Sequence, residues 1–135
     1  GQTVEISDPP STTRETVDQA FGPTVTQKQL FTHLEPTISK IGEGFNVTIF
    51  SYGQTGSGKT YTMFGSDWDT LVQQEKPTAK KQTTFFGSIE SDENFAGLIP
   101  RSIHYLFSRL YSNRKNVSIY CSFLQLYNER LIDLL

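Results

Sequence analysis

Gly53-Gln54-Thr55-Gly56-Ser57-Gly58-Lys59-Thr60 matches the phosphate-binding pattern G-x-x-x-x-G-K-[ST] at every position. The pattern carries a mechanism. Small residues let successive backbone N–H groups turn inward around a phosphate chain, and a side chain at Gly56 or Gly58 is expected to obstruct that turn. Lys59 supplies a mobile positive charge, and the Thr60 hydroxyl suits a magnesium ion. The helix expected to start here points its positive dipole end at the anion.

The flanks agree with the loop. Residues 47–50, Val-Thr-Ile-Phe, are apolar and β-branched and suit a buried parallel strand. Thr60-Tyr61-Thr62-Met63-Phe64 reads as the first turns of a helix. Strand, glycine loop and helix is the order the motif requires.

Composition sets the bounds. A chain of 135 residues suits one modest domain. Apolar residues make up 36%, but ten Phe and six Tyr provide large groups for a core. A net charge of −2 gives no support for binding nucleic acid through bulk charge. No run approaches the ~20 apolar residues of a membrane helix, and no leader peptide is visible. Cys121 is the only cysteine, so an internal disulfide is excluded. Its alternating apolar stretch predicts a buried structural thiol and a reducing setting. The start on Gly1-Gln2 and the finish on Leu134-Leu135 suggest part of something larger.

Along the chain, Thr3 to Ile6 predicts a short strand followed by a polar loop, and Val17 to Phe21 a weak extended segment. Thr26 and Gln29 fit a capping box. Leu30, Phe31, Leu34, Ile38 and Ile41 follow on one helical face, interrupted by Pro36 and stopped by Gly42 and Gly44. His33 beside this stripe reads as a partly exposed structural histidine. Residues 66–96 are polar and read as a long loop with a short hairpin near 83–89. That loop is either a solvated insertion or a regulatory or partner-binding element. Pro100 opens a helix bearing Ile103, Leu106, Phe107, Leu110 and Tyr111. A turn at 112–114 follows. Val117, Ile119, Cys121 and Phe123 then alternate as a strand continuing to Tyr127.

Three blocks together resemble the kinesin motor domain. They are residues 45–63 around the loop, Gly97-Leu98-Ile99-Pro100-Arg101, and Phe123-Leu124-Gln125-Leu126-Tyr127-Asn128-Glu129 with Leu131-Ile132-Asp133-Leu134-Leu135. Val17-Asp18-Gln19-Ala20-Phe21 is a looser match upstream. The resemblance implies a P-loop NTPase-type α/β fold, with a mainly parallel central sheet flanked by helices and incomplete in this chain. Residues 1–135 would be a partial motor domain, with the loop at 53–60 and an insertion at about 66–96.

The resemblance also implies roles. Gly53, Gln54, Thr55, Gly56, Ser57, Gly58, Lys59 and Thr60 would hold ATP or ADP, with Mg2+ on Thr60 and adenine against Tyr61. Stacking on such a ring contributes on the order of 1–3 kcal/mol in comparable sites, although plain core packing of Tyr61 is the other reading. The partner would be the microtubule, reached mostly through regions outside this chain, in a cytoplasmic, cytoskeletal setting. Neither nucleic acid nor membrane is expected as a partner. Direction, cargo and oligomeric state are not encoded in these residues.

No catalytic residue is assignable. The family's Ser-Ser-Arg-Ser-His-like and Asp-x-x-Gly-Ser-Glu-like switches do not occur between residues 1 and 135. Glu129 and Asp133 read as structural, and Asp69, Asp92 and Glu93 as solvated. Two alternatives stay open: a nucleotide-binding or scaffold piece without turnover, and another P-loop machine of myosin-like or helicase-like type.

Overall fold

The computed structural model describes residues 1–8, 10–66, 94–112 and 117–135. The expected hairpin near 83–89, the acidic residues 69, 92 and 93, and most of the expected turn at 112–114 lie outside them.

The chain begins with an antiparallel hairpin, β1 (Gln2–Asp8) with β2 (Ser11–Val17), in register from Gln2↔Val17 to Asp8↔Ser11. β1 contains the expected strand. β2 replaces the expected loop, because Thr12, Thr13, Thr16 and Val17 are β-branched and fit a pleated surface without an apolar face. The Arg14–Glu5 pair across it is exposed at 2.9 Å and adds little stability.

Helix α1 (Gln27–Ser39) starts where the capping box requires, with Thr26 as cap and both reciprocal bonds to Gln29 formed. Pro36 lies inside the helix. A 3₁₀ turn, Lys40–Glu43, follows and ends on Gly44 at φ +93°. A left-handed glycine there stops the helix at little steric cost. Ile38 is buried, Leu30, Phe31 and Leu34 are half-buried, and His33 is exposed with Phe21 edge-on at 5.3 Å.

Helix α2 (Lys59–Phe64) has only six residues and is halted by Gly65. Helix α3 (Leu98–Ser112) packs across both earlier helices, with Tyr105 edge-on to Phe31 at 6.0 Å. Pro100 is the third residue of α3 and not the first. It still removes no helical bond, because the first four N–H groups lack intrahelical acceptors.

Backbone bonds tie α2 to α3. Ser66 N–H donates to the Phe95 carbonyl at 3.2 Å and Gly97 N–H to the Phe64 carbonyl at 3.0 Å, around a Gly65–Ala96 bridge. The two ends of the long polar stretch therefore meet at the end of α2. A Cβ on Gly97 would sit 2.6 Å from backbone atoms of Met63 and Phe64, which cannot yield as a side-chain tip can. Gly97→Ala is expected to lower the stability of the intact protein by about 1–3 kcal/mol, read as a lower urea midpoint.

A second antiparallel hairpin, β3 (Leu124–Tyr127) with β4 (Arg130–Asp133), closes the chain. Its turn residues Asn128 and Glu129 both have positive φ (47° and 59°), the pattern of a type I′ turn.

Among the described residues, both sheets are antiparallel hairpins, and neither 47–50 nor 117–123 has a ladder partner. The expected parallel pairing is not seen there. Parallel strands need a crossover and cover on both faces, whereas 117–123 is exposed throughout. For the same reason Cys121 is exposed, correcting the expected buried thiol: its alternating stretch has no sheet to join. No described helix is long and apolar enough to cross a membrane.

Candidate phosphate-binding site

The eight-residue motif folds as a tight loop feeding α2. Gly56 (φ +82°) and Gly58 (φ +87°) are left-handed, and Gly58 is the residue immediately before the helix. Among the described residues, no atom beyond the adjacent ones in the chain lies within 4 Å of a Cβ built at either position. The motif thus needs these glycines for backbone conformation, and the expected obstruction comes from no neighbouring protein atom.

Ser57 N–H donates to the Gln54 carbonyl at 3.2 Å, which curls the loop. Thr62 N–H donates to the Gly58 carbonyl at 2.8 Å, which starts the helix. The Lys59 ammonium folds back over the loop, donating to the carbonyls of Gly53 at 2.8 Å and Gln54 at 2.7 Å. Two of its three N–H groups are so engaged, and the third remains to be directed outward. The lysine and the loop are therefore one hydrogen-bonded unit.

Thr60 and Tyr61 lie on the first turn of α2, both exposed. Gly53, Gln54, Ser57 and Lys59 are brought together by bonds; Thr55, Gly56, Gly58, Thr60 and Tyr61 join them only through the continuity of loop and helix. An open cavity of about 500 Å³ runs from Ser57 and Lys59 to Leu30, Leu34, Ile49 and Met63. Those apolar walls suit the packing of a sheet against helices better than a phosphate chain.

Two groups outside the eight-residue motif support the site. Gln27, at the start of α1, is buried and donates from Nε2 to the Tyr61 carbonyl at 2.6 Å. Arg101, also buried, donates from Nε to the Ala96 carbonyl at 2.8 Å, where the long stretch returns. In sequence Gln27 shows only as a polar residue near the start of a helix, which also describes a solvated side chain, whereas Arg101 closes the Gly97–Arg101 block of the resemblance.

The sequence model described as the kinesin motor domain matches residues 2–135. The chain is 41% identical over 121 residues to the kinesin-like protein KIN-5C of Oryza sativa, covering 89% of this chain and 11% of that protein. It is 39% identical over 121 residues to the kinesin-like protein cut7 of Schizosaccharomyces pombe, covering 87% and 9%. To the kinesin-like protein KIF11-B of Xenopus laevis it is 34% identical over 137 residues, covering 99% and 11%. The chain thus spans only 9–11% of the length of these relatives. With a motor-domain match running from residue 2 to the final leucine, this chain belongs to the kinesin motor domain family.

Proposed function

We propose that this chain is the ATP-binding part of a microtubule motor whose complete form hydrolyses ATP with magnesium and uses the cycle to change its grip on the filament. The observation that carries the reading is the Lys59 ammonium bonded to Gly53 and Gln54 within a loop turned by left-handed Gly56 and Gly58. Family membership supports it. The residues fit a triphosphate: the loop offers amides, an ammonium and hydroxyls. In this reading residues 53–60 hold the phosphates of ATP or ADP, Thr60 offers its hydroxyl to Mg2+, and the Tyr61 ring lies against adenine.

The bound Mg-nucleotide supplies the bond that is broken. This chain's residues bind, orient and neutralise, which is most of what phosphoryl transfer needs. None of them is assigned to hold the attacking water. The isolated chain is accordingly a binding piece, and turnover belongs to the complete motor.

We also infer that 47–50 and 117–127 become strands of a mainly parallel sheet in that motor. An apolar cavity of about 320 Å³ between Ile38, Val47, Ile49, Met63 and Leu98 is suited to receive such side chains. Residues 66–96 form its insertion. Microtubule contacts lie mostly outside this chain, and the setting is cytoplasmic and cytoskeletal, without nucleic acid or membrane partners.

The deciding experiment is calorimetric titration of the complete motor with Mg-ATP and Mg-ADP, followed by ATPase assay with and without microtubules. Uptake of both nucleotides and filament-stimulated hydrolysis are expected. No uptake ends the reading. Uptake without hydrolysis would favour the binding module.

A further inference from the structure

Helix α2 is too short to support itself, since a six-residue helix does not recover the free energy of its nucleation. Among the described residues, no side chain caps its N-terminus. Its support comes from other segments. Gly97 N–H holds the Phe64 carbonyl, and Gln27 Nε2 holds the Tyr61 carbonyl at 2.6 Å. The Tyr61 carbonyl also accepts from Gly65 N–H at 2.9 Å, so it fixes the end of the helix and receives the outside brace together.

Gln27 is itself well fixed. It follows Thr26, whose capping box with Gln29 sets where α1 begins. Its own N–H donates to Asn94 Oδ1 at 3.2 Å. The residue is only 3% exposed, so its position is set by packing as well as by bonds.

Gln27 Oε1 is buried and has no hydrogen-bond partner among the described residues. A buried acceptor without a donor opposes folding. Methionine, with a similar reach, would fill the site without that penalty. Burial alone therefore does not account for an amide here; its N–H does, through Tyr61.

We propose that Gln27 is a positioning residue for the nucleotide base: by holding the Tyr61 main chain, it sets the ring against the purine. The inference rests on the nucleotide reading above. Its signature is selective, because the brace acts at the tyrosine and not on the Gly53–Lys59 unit. The brace acts at the Tyr61 carbonyl, so its loss weakens ligands that carry a base more than bare phosphate chains.

The test compares the complete wild-type motor with Gln27→Met, titrating each with Mg-ATP, Mg-ADP and magnesium tripolyphosphate and recording thermal melts. Gln27→Met is expected to raise the Kd for ATP and ADP about five- to tenfold, the loss of one buried hydrogen bond. Its Kd for tripolyphosphate should rise less than about twofold. Its melting temperature should stay close to wild type, since the lost donor and the removed unpartnered oxygen act in opposite directions. Unchanged nucleotide affinity, or equal weakening of all three ligands, overturns the proposal. A second measurement keeps the test decisive if Gln27→Met melts early: in a Tyr61→Ala background, Gln27→Met should weaken ATP no further, and full additivity overturns the proposal. A wild-type motor that takes up neither nucleotide nor tripolyphosphate defeats the nucleotide reading itself, whereas wild-type uptake with identical affinities in Gln27→Met defeats only the role of Gln27.

Discussion

Lys59→Ala in the complete motor is expected to reduce nucleotide affinity and microtubule-stimulated turnover by at least about a hundredfold, on the scale seen when one preorganised donor is removed from a site of developing charge. Two losses combine. In the proposed reading the phosphate chain loses a cation, and the carbonyls of Gly53 and Gln54 lose the donor that orders them at 2.8 and 2.7 Å. Those carbonyls can turn to water, so the fold should survive and the melting temperature should change little. Lys59→Arg should not restore function, because a planar guanidinium does not replace a compact ammonium at two adjacent carbonyls. Isothermal titration with Mg-ADP and a steady-state ATPase assay check both. Normal filament-stimulated ATPase in Lys59→Ala would refute the assignment of the loop.

The isolated 135-residue chain is expected to self-associate and to lack a cooperative, reversible melt. Its buried apolar residues among those described are Ile38, Ala96 and Leu98. Against these stand Phe50 at 81% exposure, Tyr52 at 94% and Tyr120 at 93%, with Ile119, Leu126, Leu131 and Leu135 also exposed. At roughly 25 cal/mol per Å² of apolar surface, so few buried groups do not offset an ordering entropy of about 1–2 kcal/mol per residue. Residues 47–50 and 117–123 also present unpaired backbone, the usual route to edge-to-edge association. Size-exclusion chromatography at micromolar concentration should show oligomers, and a dye for exposed apolar surface should bind strongly. A monomer with a sharp, reversible transition would contradict this.

Local chemistry was legible in the sequence wherever it was self-contained. Thr26 and Gln29 complete each other within one helical turn, so the start of α1 follows from residue identity. Gly44 stops the turn by its own backbone freedom. The loop at 53–60 is similar, since its glycines encode left-handed conformations and its lysine reaches carbonyls of the loop itself. Features that depend on distant partners were not legible. β2 has no apolar face, so its pairing with β1 leaves only a β-branched trace in the sequence. Cys121 alternates as a buried residue should, yet burial needs a neighbouring strand that no local pattern supplies. Gln27 becomes informative only when Tyr61, far along the chain, is placed beside it.

The closed base formed by Phe64, Gly65, Phe95 and Gly97 has an evolutionary consequence. Because the chain returns to within one hydrogen bond of where it left, the number of residues enclosed is largely decoupled from the geometry outside. Doubling that number adds only about 0.6 kcal/mol of closure entropy. Changes in the length of the enclosed stretch can therefore leave the neighbouring helix in its place.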